Sequence, residues 1–337
     1  MTDDTLSVRT PGRASTARPG APAPAAETPR ARMSRSPWRK RLEITFFVAP
    51  ALVLFLTFVI WPMLKAVQMS AYRWKGYGPM VDFVGLKNYV SVLQNDVFTD
   101  AFVHNMIIVV GSIAVQLPLG LAIALLLNRK MWGQGLLRTI IFVPYVLAEV
   151  IAGVVWFQLL QPQYGVVDTL LEAIGLQGPA QGWLGTPEYA LWTVLVVLTW
   201  KYLGLAVILF LASLQGVPEE LYEAAQLDGA TWWQVQRRIT IPLLGPTLRT
   251  WAFLSMIGSL QLFDMVWILT KGGPANSTIT MAIYLINQGT NRSLYGYASA
   301  VAVLLFVISL ILALTYQRLI LRRDTDMPRT TRKKVTR

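Results

Sequence analysis

The chain lacks cysteine entirely and has a single histidine, His104, among its 337 residues. Without cysteine there can be no disulfides, thiolate metal sites or cysteine nucleophiles, and one histidine cannot form a zinc-binding cluster. Charged residues are also scarce, at 14%, against about 25% in a typical soluble domain. His104 lies at the start of an apolar segment, where it is interpreted either as an interfacial residue at a helix end or as a ligand.

Hydrophobic residues are abundant instead, at 54% of the chain, and the mean hydropathy is +0.47. A bilayer core needs about 20 apolar residues of helix, because unpaired backbone amides in lipid are costly. Six segments satisfy this length, and prolines inside them predict kinks. The sequence therefore predicts an all-α, polytopic membrane protein with six transmembrane helices. The predicted spans are 44–64, 106–127, 139–160, 190–214, 250–269 and 298–316.

The basic residues predict the orientation of these spans. The net charge is +12, and 23 of the 30 Lys and Arg residues lie in the two tails or in the loops after spans two and four. Basic loops face the cytoplasm, so both termini and the 215–249 loop are predicted to be cytoplasmic. This distribution argues against nucleic acid as a partner and favours contact with anionic lipid.

The same pattern divides the chain into four regions. Residues 1–40 are predicted to be a disordered basic tail, because they are rich in Pro, Ala, Ser, Thr and Arg. Residues 41–100 contain the first span and an outer loop, 101–320 contain the remaining five spans, and 321–337 form a second basic tail. The first apolar run is too long for a signal peptide and is interpreted as an uncleaved span.

Residues 218–242 form a polar segment between the fourth and fifth spans. Pro218 suits the first turn of a helix, and two glutamates follow where the helix dipole favours negative charge. Thr231 and Gln234 have the spacing of a capping box, which predicts a second helix that ends at Pro242. The segment is therefore predicted to be a helix-turn-helix joined directly to two membrane spans.

The surface of this segment has two possible uses. Ala224 and Ala225 leave a flat area that a partner could approach, with carboxylates of Glu223 and Asp228 at its rim and a turn at Gly229. A protein that held the segment could pull on both spans. Alternatively, the segment is a capped connector on the lipid surface, where its two tryptophans and its arginines would suit the interface.

The spacing within the segment carries a resemblance. Glu-Ala-Ala is followed after three residues by Gly, and after nine more by Ile, one residue and Ile-Pro. This pattern resembles the EAA loop of bacterial ABC importer membrane subunits, which has Leu where this chain has Ile241. The flanking sequences at 83–89, 211–218 and 270–274 are similar to the carbohydrate-uptake branch, which includes the maltose and glycerol-phosphate permeases. The matching residues are Glu223, Ala224, Ala225, Gly229, Ile239 and Pro242.

The resemblance implies a type I ABC importer permease fold in a bacterial cytoplasmic membrane. It implies that the 218–242 segment, including Asp228, couples to a cytoplasmic ATPase dimer. A second permease subunit would complete the pore, and an extracytoplasmic solute-binding protein would deliver a sugar. The chain has no Gly-x4-Gly-Lys-Ser/Thr phosphate loop. It is therefore expected to be a transport subunit without enzymatic activity or a cofactor, with ATP bound by the partner.

Three ionisable residues fall inside the predicted spans, where charge is costly and often functional. Lys201 could face a water-filled pathway, pair with the carboxylates of Glu149 or Asp264, or sit near the interface. All three are candidates for the substrate path, whereas the alternative that they pair and hold helices together is favoured for Glu149 and Lys201.

Polar and aromatic residues of the spans are further candidates. Gln116 and Gln261 could hydrogen-bond sugar hydroxyls, and Trp156 or Trp267 could stack on a sugar ring. The alternative is that they hold helices together, since such hydrogen bonds contribute about 0.6–2 kcal/mol.

Competing functions stay open from the sequence. A self-contained secondary transporter could use the ionisable span residues for proton coupling. An ABC permease for a polyamine or phosphate would share the EAA loop. An integral-membrane enzyme is disfavoured, because no histidine cluster, cysteine or paired-carboxylate motif is present.

Overall fold

A computed structural model describes residues 37–129, 131–162 and 164–321. The chain divides into two compact units, Met1–Leu56 and Thr57–Arg337. The described part of the first unit is mainly one helix, α1 (Pro37–Phe55). The predicted tails, 1–40 and 321–337, lie almost entirely outside the described residues.

The described part of the second unit consists of helices and loops, with one isolated antiparallel bridge between Tyr72 and Phe83. A π-helical stretch, Leu56–Ile60, precedes its first α-helix. The helices are α2 (Trp61–Ser70), α3 (Lys87–Leu93), α4 (Asp96–Leu127), α5 (Gln134–Val146), α6 (Glu149–Leu159), α7 (Val166–Ala173), α8 (Pro187–Gln215), α9 (Glu219–Leu227), α10 (Trp232–Val235), α11 (Ile241–Leu243), α12 (Gly245–Leu260), α13 (Asp264–Leu269), α14 (Met281–Ile286) and α15 (Tyr295–Leu319). The all-α prediction is confirmed for these residues.

Four helical segments of the described chain are long and apolar enough to cross a bilayer without a break: Leu42–Ser70, Asp96–Leu127, Pro187–Gln215 and Tyr295–Leu319. They correspond to predicted spans one, two, four and six. The third prediction, one helix over 139–160, is wrong. The chain there forms α5 and α6, which meet at 102°. If this bent pair counts as one span, the described chain has five.

The fifth predicted span, 250–269, is also broken. α12 ends at Leu260, three residues follow, and α13 begins at Asp264. Hydropathy does not detect either break, because the residues on both sides are apolar. The count of six spans therefore stays a prediction, whereas the positions of four are confirmed.

The long helices α4 and α8 form the centre of the second unit and run in the same direction. Gly111 lies against Leu195 and Gly120 against Ala206, so residue numbers rise together along the contact. Small residues let the two backbones approach closely. α12 packs on both helices, and α15 packs on α2 and α3. Buried apolar residues on these helices, such as Ile108, Val194 and Phe210, form the core.

The end of α15 lies beside the start of α12. The rings of Tyr316 and Phe253 are 5.7 Å apart, and the Tyr316 hydroxyl donates to the carbonyl oxygen of Arg249 at 2.9 Å. The end of α15 and the 218–242 segment thus lie at the same end of this unit. This agrees with the predicted common side, whereas the cytoplasmic identity of that side stays a prediction.

Candidate functional site

A cavity of about 130 Å³ lies between α4, α8 and α12 in the second unit. Its apolar walls include Leu198, Leu205 and Leu262. Its polar and aromatic lining consists of Ser112, Gln116, Tyr202, Trp251, Ser255 and Ser259. An apolar cavity with a few convergent hydrogen-bonding groups is the usual form of a binding site for a small polar molecule.

Two of these polar groups are deeply buried. Gln116 is 2% exposed, and so is Trp251. The indole Nε1 of Trp251 has no hydrogen-bond partner among the described residues. A buried donor without a partner is costly, typically by about 1–3 kcal/mol. The residues that line the cavity therefore include a tryptophan with an unpaired donor and an amide that can both donate and accept.

The break in the third span lies next to this cavity. Leu147 and Ala148 have extended backbones, with ψ angles of 140° and 143°. The last carbonyl groups of α5 consequently lack helical partners. Lys201 of α8, itself 2% exposed, donates from Nζ to the carbonyl oxygens of Pro144 and Tyr145 at 3.0 Å, and to that of Leu147.

Lys201 therefore serves the helix end and does not line the cavity. The ammonium lies at the C-terminal end of α5, where the helix dipole is negative and favours a cation. No ion pair within 4 Å joins it to Glu149 or Asp264 among the described residues. Lys201 therefore holds two helices together, as the alternative to a path residue proposed, but its partners are carbonyl groups and not carboxylates.

Glu149 is the first residue of α6, on the other side of the same break. Its carboxylate accepts a hydrogen bond from the hydroxyl of Tyr202. A carboxylate at this position is favoured by the positive end of the α6 dipole. The two neighbouring residues Lys201 and Tyr202 thus contact opposite sides of the break.

The break in the fifth span is held by neutral groups. Asn105 of α4 is fully buried, and its Nδ2 donates to the carbonyl oxygens of Ser259 at 2.7 Å and Leu260 at 3.4 Å. Its Oδ1 accepts from the backbone N–H of Met281 at 2.9 Å. Thr280 donates to the carbonyl oxygen of Leu262 at 2.9 Å. Non-helical backbone at this depth is tolerated when protein groups satisfy it.

The two remaining polar candidates flank this break. Gln261 follows α12 and Asp264 begins α13, and both side chains are exposed on this chain. Trp156 lies elsewhere, in ring contact with Trp200 at 5.5 Å, with its Nε1 buried and unpaired. Of the six predicted path residues, Gln116 lines the cavity, while Glu149, Lys201, Gln261 and Asp264 surround the two breaks.

Sequence reasoning missed most of the cavity lining. Ser112 is four residues before Gln116, and Trp251, Ser255 and Ser259 are spaced by four along α12. Residues four apart share one face of a helix. These polar stripes in otherwise apolar spans were the available signal. Tyr202 gave no such signal, because its role depends on contact with Glu149, 53 positions away.

The 218–242 segment has the predicted two-helix form. α9 spans Glu219–Leu227, and Gly229 has a φ of +72°, a left-handed conformation that glycine adopts without strain. The capping box of Thr231 and Gln234 is present and begins α10. The helical chain then continues through a π-helical stretch, Gln236–Thr240, into α11, so the prediction that Pro242 ends the second helix is wrong.

The predicted contact residues of the segment are mostly accessible. Glu223, Ala224, Asp228, Gly229 and Pro242 are exposed, while Ile239 is half-buried and Ala225 is 8% exposed. Exposed apolar side chains of the segment surround them: Leu221, Leu227, Trp232 and Trp233. The surface of the segment therefore presents both carboxylates and apolar side chains that a partner protein could contact.

The base of the segment is firmly joined to the membrane helices. Thr247 of α12 donates to Ser213 of α8 at 2.9 Å, and Leu244 is fully buried against the adjoining core. The Arg129 guanidinium lies 5.2 Å from the centre of the Trp232 ring. The segment is thus connected to α8 and α12 directly, and to the chain after α4 through a cation–π contact.

Comparison with known proteins identifies the family. Residues 116–324 match the family described as "Binding-protein-dependent transport system inner membrane component". The lactose transport system permease protein LacF of Rhizobium radiobacter is 34% identical over 86% of this chain and 98% of its own length. The trehalose/maltose transport system permease protein MalF of Thermococcus litoralis is 33% identical over 80% and 90%.

Solved structures agree with the sequence relatives. A chain of a bacterial alginate ABC transporter, in complex with an alginate-pentasaccharide-bound periplasmic protein, superposes with a TM-score of 0.75 and 26% identity. The match covers 86% of this chain and 96% of that chain. The predicted ABC importer permease fold is confirmed, and the chain belongs to the family of inner membrane components of binding-protein-dependent transport systems.

Proposed function

We propose that the chain is one of two membrane subunits of an ATP-driven importer for a sugar or oligosaccharide. In this proposal an extracytoplasmic binding protein delivers the solute, and a cytoplasmic ATPase dimer hydrolyses ATP. The chain itself neither binds nor hydrolyses ATP. Both termini and the 218–242 segment face the cytoplasm of a bacterial cell.

The build of the 218–242 segment is the observation that carries the coupling role. A connector that lay passively on lipid would not need a base hydrogen-bonded across two spans. Here the capping box fixes the start of α10, and the bond between Thr247 and Ser213 joins the spans where the segment leaves them. A force on the exposed face around Glu223 and Ala224 is therefore transmitted to α8 and α12 together.

The chemistry of the cavity supports a carbohydrate as solute. Sugars have many hydroxyl groups and apolar ring faces, which serine, glutamine and aromatic side chains can bind together. The cavity offers these groups through Ser112, Gln116, Tyr202 and Trp251. Relatives named for lactose and for trehalose and maltose transport support the same class.

The proposed path runs along the cavity and the two breaks. Gln116 contributes from the cavity, and Gln261 and Asp264 contribute from the exposed break of the fifth span, which the second membrane subunit would face. Glu149 lies at the other break. Lys201 and Trp156 do not contact the solute in this proposal. Lys201 binds helix carbonyl groups and Trp156 packs on Trp200, so both hold the surrounding helices in place.

The coupling role is tested by Glu223→Lys and Gly229→Pro in the complete transport complex. The first reverses a charge on the exposed face. The second introduces proline, whose ring fixes φ at about −65°, at a position where the backbone has a φ of +72°. We expect both variants to reach the membrane but to lose sugar uptake and association with the ATPase. Glu188→Lys is the matched control, because Glu188 lies in the first turn of α8, at the other end of that helix.

Retention of uptake and of ATPase association in both variants would contradict the coupling role. Uptake by the purified chain alone, without ATP, would instead indicate a secondary transporter.

A further inference from the structure

Tyr202 stands between the cavity and the break in the third span. Its ring lines the cavity, and its hydroxyl donates to Glu149, the first residue of α6. One side chain thus contacts both the space that a solute would fill and the start of a helix. We propose that Tyr202 transmits the filling of the cavity to α6. The inference rests on the proposed function, because it takes the cavity as a place that solute enters.

The α5 side of the break is firmly attached to α8. Lys201 binds three carbonyl oxygens at the end of α5. One turn along α8, a Cβ atom on Gly204 would lie only 2.5 Å from the carbonyl oxygen of Ile141. This close approach leaves α5 little freedom to move relative to α8.

The α6 side is attached more weakly to α8. Among the described residues, Tyr202 supplies the side-chain hydrogen bond between α6 and α8, beside the ring contact of Trp156 with Trp200. α6 packs instead on α13, where Gly153 lies against the side chain of Ile268. The break therefore separates a helix fixed to α8 from one that is grouped with α13.

α6 and α13 pack on each other and share one feature at their starts. Each helix begins with a carboxylate, Glu149 in α6 and Asp264 in α13. A solute that displaces the Tyr202 ring would weaken its bond to Glu149. α6 and α13 would then be free to shift together relative to α5 and α8.

A substitution at Gly258 can take the place of a bound solute, so the test does not require the solute to be identified. Gly258 lines the cavity, and a Cβ atom built there meets no other atom within 4 Å. Gly258→Leu therefore adds a side chain to the lining of the cavity without a clash. Because the chain has no cysteine, Val143→Cys and Val154→Cys give one spin-label site on α5 and one on α6, both at exposed positions.

The experiment measures the distance between these labels by pulsed electron paramagnetic resonance. The full chain is co-purified with its partner chains and placed in lipid nanodiscs, without solute or ATP. We expect Gly258→Leu to change the mean distance by about 2 Å or more, the size of helix shifts in switching proteins. With Tyr202→Phe also present, we expect Gly258→Leu to cause no further change.

Controls separate this effect from general disturbance. Tyr189→Phe removes a hydroxyl from the same helix outside the cavity, and Gly135→Leu adds the same side chain at an open position of α5. Both should leave the distance unchanged. If Gly258→Leu does not yield folded protein, Ser255→Leu fills the same cavity from the preceding turn.

Equal shifts with and without the Tyr202 hydroxyl would overturn the proposal. So would the lack of a shift in every cavity-filling variant that folds. These outcomes do not depend on uptake or ATP hydrolysis, which the Glu223→Lys variant tests separately.

Discussion

The two broken spans solve one problem with different side chains. Each break leaves helix carbonyl groups without partners inside an apolar unit. At the third span, the ammonium of Lys201 binds the end of α5. At the fifth span, the neutral amide of Asn105 binds the end of α12 and also the N–H of Met281.

The difference indicates separate tasks for the two breaks. A buried ammonium carries a large desolvation cost, and its bonds to carbonyl groups only partly offset that cost. A neutral amide can bind the same backbone groups without the desolvation cost of a charge. The fifth break is therefore the more stable element of the two. The charged break lies next to Glu149 and Tyr202 and is suited to rearrangement during transport.

The comparison predicts that substitution of Asn105, the neutral residue at the break of the fifth span, causes the largest loss of stability. Asn105→Leu removes the side-chain donor from the carbonyl groups of Ser259 and Leu260 and the acceptor from the N–H of Met281 in a buried site, which should lower the free energy of unfolding by about 3 kcal/mol or more. The midpoint of thermal unfolding in detergent measures this loss. Asn128→Leu, at the exposed end of the same helix, is the matched control. A loss no larger than that of the control would contradict the claim that Asn105 stabilises the break of the fifth span.

Lys201→Met should cause a smaller loss, about 2 kcal/mol, because removal of the buried charge offsets part of the effect of unpaired carbonyl groups. The same unfolding measurement applies, with Lys87→Met as an exposed control. A greater loss for Lys201→Met than for Asn105→Leu would reverse the comparison. It would then be the charged break that provides most of the stability.

Thr280→Val is expected to have a smaller effect, about 1 kcal/mol. It removes the hydrogen bond to Leu262 and the cap on the N–H of Ile283, while the Asn105 bonds remain. The unfolding midpoint should fall only slightly. A loss as large as that of Asn105→Leu would show that the two residues act as one unit, which a double variant would measure as non-additivity.

Gln261→Ala sharpens the comparison on the functional side. Gln261 is exposed at the fifth break and holds none of its backbone groups through a side-chain hydrogen bond among the described residues. Protein level and unfolding should therefore stay unchanged, while the affinity for the transported sugar falls several-fold. Unchanged half-saturation of uptake at a normal protein level would remove Gln261 from the proposed path.

Local chemistry explains which features could be predicted from the sequence. The capping box at Thr231, the polar helix at 219–227 and four of the spans follow from residues close together in the chain. Their patterns are complete within a few turns. The family pattern around Glu223 was likewise contained in twenty residues.

The breaks could not be predicted in the same way, because their partners are distant in sequence. Lys201 binds carbonyl groups 54–57 positions away, and Asn105 binds others more than 150 positions away. Pro144 predicted a kink, whereas the observed turn of 102° also needs a buried donor that satisfies the freed groups. Only the folded arrangement shows that such a donor is available.

Crosslinking from Ala224→Cys tests the central claim most directly, namely that the 218–242 segment couples this chain to an ATPase. Ala224 is exposed, and the chain has no other cysteine. In inverted membrane vesicles, a thiol-specific crosslinker at this position should capture a chain that hydrolyses ATP, and nucleotide should change the yield. Labelling of the residue only from the outside of intact cells would contradict the account, as would crosslinks to lipid alone.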